Sequence, residues 1–277
     1  MGRKNFYEIL NDLTINVRDE YAKLLFLFDE EPIAIYHGCP VTLKDYLNDE
    51  FFRDYDFRNS CIDMDSLINK VGIPIIPSDQ LDDLLLFSEF LLALVFFPYG
   101  KRISDFAVKQ FNYIVSNIKY ICEKTNHVTK EIDGKLIILE QSKATSLAVE
   151  LVSDKAIILD LLEYNHYAIK GHLSEKKKIL FEIGQYVEAI LKTGKLKKNS
   201  FNRLESDAGF FLNHFHIRHN NKEGAYAQEY IISISDEELE DWYDKIYNTL
   251  LSVIIINEQI DINSELNDLK RNYKWKS

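Results

Sequence analysis

Residues 235–254 read Ser-Asp-Glu-Glu-Leu-Glu-Asp-Trp-Tyr-Asp-Lys-Ile-Tyr-Asn-Thr-Leu-Leu-Ser-Val-Ile, and this stretch predicts the fold class of the chain. Ser235 followed three residues later by Glu238 is typical of a capping box, in which two side chains satisfy free backbone N–H groups at a helix start. Seven apolar residues then recur at helical spacing: Leu239, Trp242, Tyr243, Ile246, Leu250, Val253 and Ile254. We therefore predict a helix from residue 236 to about residue 257, with one face buried in a core.

The same spacing recurs in the N-terminal half, where it predicts helices at residues 6–27, 81–97 and 103–122. The second of these is apolar on nearly all sides, which indicates a buried central helix. Residues 28–77 contain four of the five prolines, and there we predict short helices and turns packed by an aromatic cluster at residues 51–57.

An Asp133-Gly134 pair lies between β-forming residues at 128–132 and 135–139, and such a pair is a strong signal for a β-hairpin. We predict one small hairpin here. It separates a helical N-terminal region of unknown role, residues 1–130, from a C-terminal helical domain, residues 142–277.

The C-terminal domain is predicted to contain about four helices, because residues 144–169, 174–191 and 201 to about 218 precede the helix at residue 236. The chain has only ten glycines and five prolines, which suits long helices joined by short loops. The sequence therefore predicts a mainly α fold with a single hairpin.

Composition limits the classes of function. With 33 basic and 44 acidic residues the formal net charge is -11, so any surface that binds RNA must be a local basic patch. A hydrophobic content of 46% and a charged content of 28% indicate a globular protein without a membrane segment. The three cysteines are far apart and form no CxxC pair, which favours a reducing, cytoplasmic location.

Known nucleotide-binding and catalytic motifs do not occur in the sequence. It has no GxxxxGK[ST] loop, no GxGxxG, no GxSxG and no HExxH. We therefore expect no ATPase, dinucleotide-dependent or zinc-protease chemistry and no cofactor.

One segment concentrates groups that can transfer protons and bind anions. Residues 212–221 read Leu-Asn-His-Phe-His-Ile-Arg-His-Asn-Asn and hold three of the seven histidines. We assign five of these residues to a candidate catalytic site: Asn213, His214, Arg218, His219 and Asn220. His216 is a further candidate.

Helical geometry would align His214 with Arg218, and His216 with His219 and Asn220, with the helix ending at residues 220–224. His214 and His216 would then point about 200° apart, so we expect no metal site. The alternative is structural, because cations at a helix C-terminus stabilise it by roughly 0.3–1 kcal/mol without any catalytic role.

A second polar group, Asn165, His166 and Lys170, ends the helix predicted at residues 144–169. A cap that stops at Gly171 explains it without a function. The spacing leaves open whether His166 approaches Arg218. The lysine run at residues 176–178 is interpreted as a solvated helix end.

Several stretches of the C-terminal half resemble the HEPN-like domains of bacterial abortive-infection proteins: residues 163–166, 170–171, 175–177, 211–213, 217–221 and 237–243. The resemblance covers about half of the chain. It implies a dimeric bundle of four or five helices in which an arginine and a nearby histidine form a metal-independent endoribonuclease site. It also implies a role in phage defence or as a toxin.

Within this resemblance, Arg218 matches the arginine and His219 the polar residue after it. The family's histidine would fall at residues 222–224, which here are Lys-Glu-Gly. Either His219, His214 or His216 takes that role, or the domain has lost catalysis and kept a binding function. The alternative to an RNA-cleaving homodimer is thus a non-catalytic helical module that binds a defence or toxin–antitoxin partner.

Overall fold

The computed structural model describes residues 15–51, 60–96, 105–132 and 134–273 and divides the chain into two compact units, Met1–Glu140 and Gln141–Ser277. The predicted mainly α fold is confirmed. Several predicted features lie wholly or partly outside the described residues: the helix at residues 6–14, the aromatic cluster at 52–57, the helix ends at 97 and 103–104, and Asp133.

The first unit contains five described helices: α1 (Val17–Leu25), α2 (Leu43–Phe51), α3 (Met64–Val71), α4 (Leu81–Phe96) and α5 (Asp105–Lys124). A π-helical turn, Phe26–Glu30, continues α1. Its four strands are β1 (Pro32–Tyr36), β2 (Cys39–Thr42), β3 (His127–Ile132) and β4 (Lys135–Glu140). The described part of α4 is the buried helix that the sequence predicts, since Leu84, Leu85 and Leu91 are nearly inaccessible to solvent.

The predicted hairpin is confirmed: β3 and β4 pair antiparallel, and His127 faces Glu140 at the open end. It packs against α4 and α5 and so belongs to the first unit. A second hairpin, β1–β2, replaces the turns predicted at residues 32–42. Its turn is formed by His37 and Gly38, which both have positive φ angles as a tight two-residue turn requires.

The second unit contains seven helices within the described residues: α6 (Lys143–Leu151), α7 (Lys155–Glu163), α8 (Leu173–Lys192), α9 (Lys195–Lys198), α10 (Asn202–His214), α11 (Glu229–Ser233) and α12 (Asp236–Asn272). Helix α12 packs against α6, α8 and α10. Its residues Tyr243, Ile246 and Leu250 are at most 1% exposed, so the face predicted from sequence forms the core.

Three predicted boundaries in this unit are wrong. The helix at residues 144–169 is two helices, because Val152 is extended and the Asp154 side chain caps α7 by accepting from the Ala156 N–H. Helix α10 ends at His214 and not at Arg218. Helix α12 continues to Asn272, although its last buried residue is Ile260. Only half of the predicted capping box forms: Ser235 accepts from the Glu238 N–H, whereas the Glu238 carboxylate accepts from the Tyr230 hydroxyl.

A glycine sets the position of α10 against α8. A Cβ atom added at Gly184 on α8 would lie 2.6 Å from the Leu212 Cδ2 atom, and Leu212 is 1% exposed. Gly184 therefore permits the close approach that places the end of α10, and the polar segment after it, beside α8.

Candidate functional site

The polar segment is a loop after α10 and not the last turn of a helix. His216 adopts a left-handed conformation with φ of 60°, which stops the helix, and histidine tolerates this region better than most residues. The Arg218 N–H then donates to the Leu212 carbonyl at 3.2 Å. Phe215 and Ile217, both at most 5% exposed, anchor the loop in the core on either side of His216. The predicted helical alignments of His214 with Arg218 and of His216 with His219 and Asn220 are therefore wrong.

Asn221 fixes the shape of this loop. Its side chain is 1% exposed; Oδ1 accepts from the His216 N–H at 2.7 Å, and Nδ2 donates to the Tyr226 carbonyl at 2.9 Å. Its backbone N–H donates to His216 Nδ1 at 3.1 Å, and its carbonyl accepts from the Gln228 N–H at 2.8 Å. Buried polar groups must be satisfied in this way, so Asn221 determines where the imidazole of His216 lies.

We expect Asn221→Asp to lower the free energy of unfolding by about 1–3 kcal/mol, because the new carboxylate loses the donor to the Tyr226 carbonyl and is itself buried. Urea denaturation measures this. Asn220→Asp, the same change at the exposed neighbouring position, is the control. Equal effects of the two variants would contradict the structural role of Asn221.

Arg218 is engaged in an ion pair. Its Nη2 atom contacts Oε2 of Glu188 on α8, and its Nη1 atom donates to Asn213 Oδ1 at 3.3 Å. Asn213 is in turn held by a 2.8 Å bond from its Nδ2 to the Gly209 carbonyl. Hydrogen bonds from Arg218 and Lys192 lower the pKa of Glu188, so the carboxylate stays charged. The candidate catalytic residue Asn213 therefore contacts Arg218. Glu188, which the sequence did not indicate, neutralises the arginine.

The candidate catalytic residues His214 and His219 lie against aromatic rings. His214 is half-buried beside Phe210, with ring centroids 4.7 Å apart, and His219 stacks on Tyr226 at 4.4 Å. Asn220 is exposed, and its Oδ1 accepts from the Lys222 N–H at 3.3 Å. His214 ends α10 and His219 lies in the loop with Arg218, and each ring is held in a contact of its own.

His216 contacts a lysine of α8. Its Nε2 atom lies 3.0 Å from Lys177 Nζ, and both side chains are half-buried. Burial lowers the pKa of Lys177, and the charge of Lys222 lowers it further. The pKa of His216 is lowered by burial first and then by Lys177 and Lys222, against which a hydrogen bond to the backbone of His219 and the Glu223 charge act.

The second polar group predicted from sequence has a structural explanation. Asn165 Nδ2 donates to the Tyr247 hydroxyl at 2.7 Å and to Thr145 Oγ1 at 3.1 Å, and these two side chains are buried. His166 caps the 3₁₀ turn Tyr167–Ile169 by accepting from the Ala168 N–H. Lys170 is exposed at the end of that turn.

A buried lysine network joins α8 to α12, so the interpretation of residues 176–178 as a solvated helix end is wrong for Lys176. Lys176 is 5% exposed, and its Nζ atom lies 2.9 Å from Glu240 Oε1 and 2.6 Å from Asp244 Oδ1. The Tyr164 hydroxyl donates to Asp244, and the Gly171 N–H donates to Glu240. Lys176 precedes the buried residues Ile179 and Leu180 by three and four positions, so helical periodicity could have placed it on the buried face.

The described ranges contain no group of three or more His, Cys, Asp or Glu side chains arranged to hold a metal ion. In the same residues no helix is long and apolar enough to cross a membrane.

Comparison of the chain with protein-family models, with curated proteins and with solved structures gives no significant match. The resemblance to HEPN-like domains therefore stays a prediction.

Proposed function

We propose that the second unit is a HEPN-like module that cleaves RNA without a metal ion, as an antiviral defence effector or a toxin. The observation that carries this proposal is the gathering of Lys177, His216, Arg218 and Lys222 around one rigid loop in a chain of net charge -11. Such a local basic surface is what a phosphate backbone requires when the whole protein is acidic.

The chemistry needs two proton carriers and one cation. The 2′-hydroxyl of RNA would attack the adjacent phosphate while one histidine accepts its proton and another donates a proton to the leaving 5′-oxygen. Arg218 would stabilise the additional negative charge on the phosphorane. His214 and His219 are the proposed carriers. His216 is unsuited to accept the proton, because its Nδ1 atom already accepts from the Asn221 N–H.

One contact favours the second candidate function, a non-catalytic module that binds a defence or toxin–antitoxin partner. The Arg218–Glu188 pair neutralises the cation that the reaction needs, so a substrate phosphate must displace Glu188. Apolar side chains are also exposed nearby: Phe210 by 54%, Tyr230 by 46% and Ile232 by 59%. Exposed apolar surface of this kind suits a protein partner.

Incubation of the purified protein with total RNA in EDTA separates the two functions. A nuclease degrades the RNA without metal and arrests growth when it is overexpressed. A binding module leaves RNA intact at high protein concentration and does not arrest growth.

We also propose that two copies of the chain pair through the C-terminal part of α12. Beyond Ile260 this helix carries exposed apolar residues at spacings of four and three: Ile262, Leu266 and Leu269. This is the spacing of a coiled-coil seam. Glu265 and Lys270 flank it five positions apart, where opposite charges pair between two parallel copies.

We expect Leu266→Lys to convert a dimer into a monomer, because a charge in the seam opposes burial. Sedimentation velocity measures the mass. Ser264→Lys, which lies outside the seam on the same exposed stretch, should leave the dimer intact. A monomeric wild-type chain would contradict the proposed dimer.

A further inference from the structure

The contact between Lys177 and His216 places two hydrogen-bond donors side by side. His216 Nδ1 accepts from the Asn221 N–H, so the proton of the neutral imidazole is on Nε2. That Nε2 atom is the one that lies 3.0 Å from Lys177 Nζ. A lysine ammonium has three donors and no acceptor. The backbone of His219 also bonds to the His216 ring, so it is the Lys177 ammonium, placed against another donor, that needs an acceptor beside it.

The positive charges around the pair are only partly compensated. Within the described ranges Lys177 makes no ion pair, whereas its neighbour Lys176 makes two. Lys222 adds positive charge, and its own partner, Asp236, lies 3.6 Å away on an exposed side chain.

We propose that Lys177 and His216, with Lys222 beside them, form a binding site for the oxyanion of a phosphate group. An oxyanion accepts from both donors at once and offsets the positive charges of Lys177 and Lys222, which removes the conflict between the two donors. The chemical class of ligand is a phosphate ester or free phosphate. If the ligand is RNA, this site holds a phosphate of the strand that is cleaved at Arg218, and that last step rests on the proposed function.

In the first test the whole protein is titrated with inorganic phosphate, and isothermal calorimetry measures the affinity. We expect Lys177→Gln to weaken binding at least about tenfold, because one of two direct donors is lost. Lys178→Gln removes the same charge from the adjacent, exposed position and should change the affinity by less than about twofold. Equal loss in both variants, or no binding by the wild type, overturns the site.

The second test measures the pKa of His216 by NMR of its ring in histidine-labelled protein. The His216→Asn variant identifies which signal belongs to this ring. The groups that face this ring are Lys177, Lys222, Glu223 and His219. A bound anion offsets the cations that lower the pKa of His216, so its pKa should rise. Sulfate is the probe, because its own charge does not change between about pH 5 and pH 8. It should bind more tightly as the pH falls and His216 becomes protonated. An unchanged pKa in saturating sulfate contradicts the proposal.

The source of the phosphate and the proposed function are tested separately with a short RNA. If RNA competes with inorganic phosphate in the wild type but not in Lys177→Gln, the strand occupies the site. If phosphate binds as expected but RNA is neither bound nor cleaved, the site takes a small phosphate compound and the proposed function fails. If Lys177→Gln cleaves RNA at the wild-type rate and phosphate does not compete, the RNA strand does not occupy this site and the nuclease stands without it.

Discussion

We expect Lys176→Met to unfold with a free energy about 3 kcal/mol lower than the wild type, the low end of the cost of breaking a buried ion pair. The variant leaves the Glu240 and Asp244 carboxylates without their shared cation. The low end applies because the Asp244 side chain is 50% exposed, so water partly replaces the lost partner. Urea denaturation measures the difference.

The control is Lys178→Met on the same helix, where the side chain is exposed and the expected change is within about 0.5 kcal/mol. If both variants lose the same free energy, the network does not stabilise the unit. Substitution of Lys177, the neighbour of Lys176, should instead weaken phosphate binding and leave the fold intact.

The stabilisation by Lys176 should depend on pH. Burial alone would raise the pKa of Glu240, but the Gly171 N–H and the Lys176 ammonium outweigh it and lower the pKa. A carboxyl with a lowered pKa contributes stability above its unfolded pKa and loses it as the pH falls through the folded pKa. The difference between wild type and Lys176→Met should therefore shrink in acid. A difference that grows in acid contradicts this assignment.

Arg218→Ala should reduce the rate of RNA cleavage by roughly 100–1000-fold, the usual cost of removing a donor that stabilises developing charge. Glu188→Gln should have the opposite effect, because it releases Arg218 from its ion pair. Initial rates on one fluorescent RNA measure both.

Arg203→Ala is the matched control for arginine, since Arg203 is on α10 but its side chain is 94% exposed. Glu182→Gln is the matched control for the carboxylate, on the exposed face of α8. If Arg218→Ala cleaves RNA as fast as Arg203→Ala does, residues other than Arg218 carry out the chemistry.

The sequence predicted those elements whose signals are local. The capping serine at Ser235, the apolar run of α4 and the Asp133-Gly134 turn each depend on residues close in the chain, and the described parts of all three elements form. The end of α10 could not be predicted in this way, because His216 and not a glycine takes the left-handed conformation. Tertiary contacts with Asn221 hold it there.

The candidate site was predicted less well than the fold, for a related reason. Arg218 and His216 were found from local composition, but their partners Glu188 and Lys177 are 30 and 39 positions away in sequence. Only the packing of α10 on α8, which Gly184 permits, brings them together. The helical alignment drawn from sequence therefore paired His214 with Arg218 and His216 with His219. The structure instead places His216 against Lys177 of α8 and the other two histidines against aromatic rings.

The most direct test of the central claim is cleavage in EDTA of one ribo-oligonucleotide and of the same oligonucleotide with 2′-O-methyl groups. Attack by the 2′-hydroxyl predicts that the wild-type protein cleaves only the first, leaving a 2′,3′-cyclic phosphate, and that Arg218→Ala cleaves it roughly 100–1000-fold more slowly. Intact ribo-oligonucleotide at high protein concentration, or equal cleavage of both substrates, would contradict a metal-free ribonuclease.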